Sequence, residues 1–227
     1  MVSSDVDLFI SLCYHYFDKS DFSEDRIFVS MEYWNHNTAY YEWIKTEAAS
    51  CRSVLDIGCG DGALISYLDD GSKNLLGIDN EQSCIDIANR QHRTGNATFL
   101  CLGFEDFDTD RKYDAVTFVA SLHHMNMKSA IEKATSYLED DGVLLIVGLA
   151  KPSNAFDYII EGMRIIPSSV ISRIKHIKSS ESKSIPVSYD FQSMNEVRET
   201  ANTLLPGYTL KYGLFYRYLL KWTKRQT

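Results

Sequence analysis

The chain has 227 residues, 44% of them hydrophobic and 24% charged, with 31 acidic against 23 basic side chains and a net charge of −8. That is enough polypeptide for one sizeable core, and it is too rich in apolar and aromatic residues for a disordered chain. The acidic balance argues against nucleic acid as a partner, because phosphate-binding surfaces need a positive footprint.

Basic clusters are confined to residues 173–183 and 221–227, which read as a solvated loop and a solvated tail. The cysteines, Cys13, Cys51, Cys59, Cys84 and Cys101, are odd in number, widely spaced and without a CxxC pair. Neither a disulfide framework nor a zinc site is expected from them. The N-terminus lacks the basic start and long apolar run of a signal peptide, and no later stretch has the length of a membrane span. The expectation is a protein of the reducing cytoplasm with no membrane partner.

In chain order, residues 1–50 are aromatic-rich and read as a helical N-terminal lid. Within MEYWNHNTAYYEWI (31–44), helical spacing puts Tyr33, Asn37, Tyr40 and Ile44 on one face and Trp34, Asn37 and Tyr41 on its neighbour. Aromatics with polar tips suit a cover over a ligand of mixed polarity, and His36 adds a titratable group. The competing reading is a helix packed on a sheet with its tyrosine hydroxyls reaching water.

Five apolar runs follow, each read as a buried strand: SVLDIG (53–58), NLLGID (74–79), ATFLCL (97–102), YDAVTFVAS (113–121) and GVLLIVGLA (142–150). Between them GALISYLDD (62–70), EQSCIDIANRQ (81–91) and KSAIEKATSYLED (128–140) have helical length and pattern. In the last, Ala130, Ile131, Ala134 and Leu138 repeat at helical spacing and Asp141-Gly142 supplies the stop. This alternation predicts a doubly wound α/β fold, a parallel sheet with helices on both faces.

Residues 151–190, punctuated by Pro152, Pro167 and Pro186, read as a helical insertion over the carboxyl edge of the sheet. A helix over 193–204 then precedes two β-rich runs bracketed by Pro206-Gly207 and Gly213, a terminal antiparallel hairpin. Tyr212, Tyr216, Arg217 and Tyr218 are expected mainly on the surface of that hairpin. No internal repeat interrupts the pattern, and residues 1–227 read as a single domain.

The stretch VLDIGCGDG (54–62) carries most of the functional information. Glycines at 58, 60 and 62 let the backbone turn tightly and leave room for a ligand beside it. The spacing is GxGxG, whereas dinucleotide binders carry GxGxxG. Asp56 lies two residues before the first glycine, where a carboxylate would repel a pyrophosphate and would suit an ammonium. Asp79 ends the second strand, 23 positions after Asp56, where nucleoside-binding α/β folds place an acid for ribose hydroxyls. With no P-loop lysine present, this set fits S-adenosylmethionine better than a phosphorylated ligand.

VLDIGCGDG, GIDNE (77–81), FEDF (104–107), YDAVTFVASLHHM (113–125) and LEDDGVLLIVG (138–148) stand in order and at suitable spacing. In them the chain resembles the class I S-adenosylmethionine-dependent methyltransferases, in particular the small-molecule, methyltransferase type 11-like branch with an LHH segment after the fourth strand. The resemblance implies a mostly parallel seven-stranded, Rossmann-like sheet ending in an antiparallel hairpin, with 51–150 as the cofactor-binding core, 151–190 as a substrate-side insertion and 191–227 as the last helix and hairpin. It implies that Asp56, Gly58 and Gly60 line the methionine part of the cofactor, that Cys59 belongs to the cofactor-binding set, and that Asp79 binds the ribose. Tyr40 joins the cofactor-binding set from the lid.

It further implies that Asn80 packs beside the adenine, that Phe104 and Glu105 belong to the adenine loop, and that Val119, Ala120 and Ser121 pass under the sulfonium. The chain departs from the family at Gly103, where an aspartate often stands, and Glu105 or Asp106 are the available substitutes.

In-line methyl transfer can draw most of its acceleration from positioning, at effective molarities of about 10⁵ M or more. A general base adds roughly 10²- to 10⁴-fold where the nucleophile must lose a proton. His123 and His124 are the candidate bases, with His36 a further catalytic candidate. Neighbours in an extended segment point to opposite sides, so one at most faces the pocket, His123 being favoured, and no metal site is expected from the pair. The competing reading has them bonded to loop backbone.

The expected function is methyl transfer to a small-molecule acceptor by a monomer or a homodimer. A tRNA or protein methyltransferase and a non-catalytic S-adenosylmethionine-binding protein are the alternatives, and GxGxG with Asp56 disfavours a nicotinamide oxidoreductase.

Overall fold

Seven strands form in the computed structural model, which describes residues 37–92, 95–151, 191–213 and 217–225. They are β1 (Ser53–Ile57), β2 (Asn74–Asp79), β3 (Ala97–Cys101), β4 (Tyr113–Val119), β5 (Leu138–Leu149), β6 (Thr209–Tyr212) and β7 (Arg217–Thr223). The helices are α1 (Tyr41–Glu47), α2 (Ala63–Leu68), α3 (Gln82–Gln91), α4 (Met127–Ser136) and α5 (Met194–Leu204). The chain divides into two compact units, residues 1–39 and 40–227, and the elements named here belong to the second. Of the expected insertion over 151–190, residues 152–190 lie outside the described residues, as do residues 1–36 of the expected lid.

The strand order is β3-β2-β1-β4-β5-β7-β6. Strands β1 to β5 are parallel, while β7 runs antiparallel between β5 and β6. The chain winds outward from β1 to β3 and then returns to lay β4 and β5 on the other side, so the order reverses between β1 and β4.

Side chains alternate across the sheet with period two. Leu55, Ile57, Val116, Phe118, Leu144 and Ile146 meet α4 and α5 through Ile131, Ala134, Val197 and Ala201. On the opposite face Val54, Ala115, Leu145 and Val147 meet α1, α2 and α3 through Ile44, Ile65, Leu68 and Ile85. The architecture is therefore the doubly wound α/β sheet read from the sequence, with its closing hairpin.

The helix expected over 128–140 ends at Ser136, and Leu138 already belongs to β5, opposite Tyr113. Leu138 is fully buried, so its apolar character serves a strand as well as it would serve a helix. The polar residues after it bulge: the register shifts between Tyr113 and Ala115, and Asp141 adopts a left-handed φ of +62°.

Tyr218 is not on the surface of the hairpin. It is 1% exposed, and its ring lies across Gly148 of β5, where an added Cβ would stand 2.1 Å from Cζ. The reason is topological, because β7 is an interior strand and Tyr218 lies with Leu220 on the face that packs into the core.

The stretch 41–47 of the aromatic segment packs on the sheet as α1. Tyr41 meets Tyr67 at 5.7 Å between ring centroids, and the Tyr67 hydroxyl donates to Glu42 at 2.6 Å. The end of α1 is fastened by the buried Lys73, whose Nζ donates to the carbonyls of Ala48 (3.1 Å), Ala49 (3.2 Å) and Cys51 (2.6 Å). Lys73→Met removes all three donors while keeping the stem, and should destabilise the protein by about 3 kcal/mol. Urea denaturation measures this, and a loss below ~1 kcal/mol would show that water replaces the ammonium there. Among the described residues no helix is long and apolar enough to cross a membrane.

Candidate functional site

Open α/β sheets bind ligands beyond the carboxyl ends of their strands, where strand order reverses. Here that place is the crevice between β1 and β4. The chain leaves β1 through Gly58, Gly60 and Gly62, with φ of +74°, +54° and +79°. The N–H groups of Gly58 and Cys59 both donate to the Ile78 carbonyl, at 2.8 and 3.0 Å, which pins the turn to β2. Two of these glycines have different tasks. A Cβ on Gly58 would stand 2.4 Å from Ser121 Cβ, whereas a Cβ on Gly60 would meet nothing within 4 Å. Gly60 therefore faces open space.

Asp79 reaches this turn from the end of β2. Its Oδ2 accepts the Gly60 N–H at 2.9 Å and its Oδ1 accepts the Glu81 N–H at 2.9 Å. A carboxylate has about four acceptor positions, so capacity remains for ligand hydroxyls.

Asp56 is register partner to Thr117 across β1 and β4, and its Oδ1 accepts the Thr117 hydroxyl at 2.6 Å. At 2% exposure its carboxyl is driven up to about 7, chiefly by burial, with the Thr117 bond opposing and the Asp79 charge adding to the rise.

Val119 and Ala120, at the end of β4, are half-buried. Ala120 is left-handed at φ +53°, a conformation that strains a non-glycine residue and recurs at functional sites. It turns the chain out of the strand, and Leu122–His124 forms a 3-10 turn. The two histidines are consequently not on opposite sides of an extended segment; their rings lie 3.9 Å apart.

His123 also meets the Phe191 ring edge-on at 5.2 Å, and its Nδ1 is buried without a hydrogen-bond partner among the described residues. Burial foremost, then the charges of His124 and Arg217, pull the His123 imidazole down to about 4. At neutral pH it is an uncharged hydrogen-bonding group.

Arg217 begins β7 opposite Leu149, at the same carboxyl edge. Burial pulls its guanidinium below the ordinary value, with Tyr40 acting in the opposite sense. Sequence reasoning placed Arg217 on the surface; the usable signal was that a hairpin closing on β5 must put one end beside this crevice. Tyr40 is buried, with its hydroxyl where a Cβ on Gly213 would stand 2.6 Å away.

The remaining expected residues occupy varied positions. The Cys59 side chain is turned inward over Gly77, and burial followed by Asp56 and Asp79 pushes its thiol well above the usual range. Asn80 is exposed, and its carbonyl accepts the Cys101 thiol at 3.7 Å.

Phe104 is buried in the core, edge-on to Phe118 at 5.8 Å and to Tyr137 at 6.3 Å. Glu105 is exposed, with its carbonyl held by Lys133 at 2.9 Å. Of the two substitutes for the missing aspartate, Asp106 is the one beside Gly103, its Oδ2 3.8 Å from where a Cβ would stand. His36 lies outside the described residues.

Residues 54–142 match a family described as a methyltransferase domain. The ubiquinone biosynthesis O-methyltransferase of Glaesserella parasuis is 32% identical over 152 residues, 60% of this chain and 64% of that protein. The chain thus spans less than two thirds of that relative's length.

Among solved structures, the YcgJ protein of Bacillus subtilis superposes with a TM-score of 0.58 at 14% identity, over 84% of this chain and 100% of that one. Magnesium protoporphyrin IX methyltransferase from Synechocystis, solved with bound S-adenosylmethionine, gives 0.53 at 13% identity, over 81% and 77%. At such identities the likeness is one of fold.

Proposed function

The core of the chain, residues 54–142, belongs to the class I S-adenosylmethionine-dependent methyltransferases, and from that premise we propose that the protein transfers a methyl group from S-adenosylmethionine to a small-molecule acceptor by in-line displacement. The observation that carries the reading is the pair of acids around an open glycine: Asp79 bonded to the Gly60 N–H and the buried Asp56 on β1. A nucleoside with an amino-acid arm needs acceptors for ribose hydroxyls and for an ammonium, and room against backbone for the rest. Asp79 beside Gly60, the carboxylate of Asp56 and the open space at Gly60 support assigning those three roles here.

When bound, the cofactor supplies a methyl group on an electrophilic sulfonium. The protein's part is to hold it and to orient the acceptor. Asp79 accepts from the ribose and Asp56 receives the ammonium, while Gly58 and Gly60 keep the turn clear. Asn80, the backbone of Cys59, and the loop of Phe104, Glu105 and Asp106 border the adenosine, and Val119 and Ala120 border the sulfonium. His123 offers an uncharged imidazole to the acceptor from the 3-10 turn, with the His124 ring close beside it at a tilt of 42° and Tyr40 interacting with Arg217. The likeness to an O-methyltransferase of ubiquinone biosynthesis supports a small acceptor.

The Asp56 carboxyl sets a pH dependence. An ammonium selects the ionised form, so with a carboxyl at about 7 cofactor affinity should fall about tenfold per pH unit below 7 and level off above it. For stability the sign is opposite. The group is raised from 3.8, so its contribution is fully present below about pH 4 and is lost as the pH rises through 7. Asp56→Asn should accordingly lose the pH dependence of binding and be more stable than wild type at pH 8. Calorimetric titration across pH 5–8 tests the first point, and a pH-independent affinity would remove Asp56 from the ammonium site.

The function itself is tested by transfer of labelled methyl from S-adenosylmethionine into a source-cell extract, split into small-molecule and macromolecular fractions, with Asp79→Ala as control. Label in the small-molecule fraction that is lost in the variant supports the reading. Label only in RNA or protein overturns the acceptor class, and binding without any label turns the reading toward a non-catalytic binder.

A further inference from the structure

Ser121 is 7% exposed and precedes the 3-10 turn, yet its hydroxyl does not cap that turn. It turns back across the crevice and donates to the carbonyl of Ile57, the last residue of β1. The β1–β4 ladder ends at the pair Ile57 and Phe118, so this bond joins the two strands at the point where their chains separate. The same side chain occupies the space that Gly58 leaves, 2.4 Å from a built Cβ.

On its other side the Ser121 carbonyl accepts the His124 N–H at 3.1 Å and so closes the turn that carries His123. Ala120, just before it, is held left-handed while its N–H is bonded to Val147 at 2.8 Å. The backbone therefore has little freedom to move Ser121 away from β1. One residue links the glycine turn to the histidine turn.

We propose that Ser121 is a positioning residue that fixes the distance between the cofactor cradle at Gly58 and the histidine turn, so that filling the first adjusts the second. The proposal rests on reading the crevice as the S-adenosylmethionine site. In this role Ser121 acts through Gly58 and the turn that carries His123. Its importance follows from the geometry of transfer, where a displacement of about 1 Å costs about 100-fold in rate. Without the hydroxyl, the Ile57 carbonyl loses its donor in a buried place where water does not readily replace it.

The test uses the full chain, S-adenosylhomocysteine as probe, and Ser121→Ala beside Ser121→Cys, which keeps a hydrogen-bearing γ atom on a somewhat larger side chain and weakens the donor. Calorimetry reads affinity, and NMR of ¹³C-histidine-labelled protein, with His123→Gln for assignment, reads the turn. In the wild type, ligand should shift the His123 resonance. In Ser121→Ala the Kd should rise about tenfold and the ligand-induced shift of His123 should vanish, with Ser121→Cys intermediate in both.

A purely structural serine would lower thermal stability and leave the His123 response intact in the folded variant. Unchanged affinity with an unchanged His123 shift overturns the proposal alone. Failure of the wild type to bind S-adenosylhomocysteine overturns the cofactor reading on which it stands. If Ser121→Ala does not fold, the Ser121→Cys comparison decides by the same two readings.

Discussion

Gly58→Ala should destabilise the protein by about 4 kcal/mol and abolish cofactor binding. A left-handed alanine costs roughly 1–2 kcal/mol, and residue 58 stands at φ +74°. Overpacking adds about 1–3 kcal/mol, because the new methyl would stand 2.4 Å from Ser121 Cβ and 3.0 Å from its Oγ. Neither neighbour can yield without breaking the bond from Ser121 to Ile57. Gly60→Ala is the informative companion. It has the backbone strain at φ +54° without any clash, so it should lose only about 1–2 kcal/mol while its methyl enters the crevice and weakens binding in a folded protein. Denaturant titration with S-adenosylhomocysteine calorimetry separates the two. Equal stabilities for both variants would mean that Ser121 relaxes and that the close approach at Gly58 is not rigid.

Asp79→Ala should reduce affinity for S-adenosylmethionine at least about 100-fold, a loss of about 3 kcal/mol or more. Two terms combine. The ribose hydroxyls lose a charged acceptor, for which bonds of about 1.5–3 kcal/mol are usual. The cradle also loses its tie, because the Gly60 N–H and the Glu81 N–H both donate to this carboxylate. Asp79→Asn retains one acceptor oxygen and should recover part of the affinity, since one of the two backbone donors then faces an amide nitrogen. Stability should change less than binding, because Asp79 is only half-buried. A near-normal affinity in Asp79→Ala would sink the assignment of the ribose site.

The cradle was legible because its signals are local. Three alternate glycines after an apolar run dictate a turn at a strand end, and the acid ending the next strand is brought beside it by parallel pairing alone. Asp79 does reach Gly60. The histidine turn was not legible, because alanine at 120 gives no sign that it will adopt φ +53°, and an unbroken strand would have splayed His123 from His124. Leu138 misled for a related reason, since it satisfies a helical period and a buried strand equally. Tyr218 and Arg217 were misplaced because burial in a sheet depends on which strands lie on either side, and pairing partners are not encoded in the strand's own residues. For the same reason Gly148, which admits the Tyr218 ring, had no visible purpose in the sequence.

The placement of β7 between β5 and β6 bears on biosynthesis. Strand β5 is complete at Leu149, but its second neighbour is residues 217–223, which leave the ribosome well after it. Throughout that interval a long apolar strand, with Leu144, Leu145, Ile146 and Val147 in succession, has one edge of its backbone unpaired. Such an edge is a template for pairing with another nascent chain. The parallel core can assemble early, yet β5 gains its second neighbour only once residues 217–223 have been made, and during that delay its open edge is the growing polypeptide's aggregation hazard.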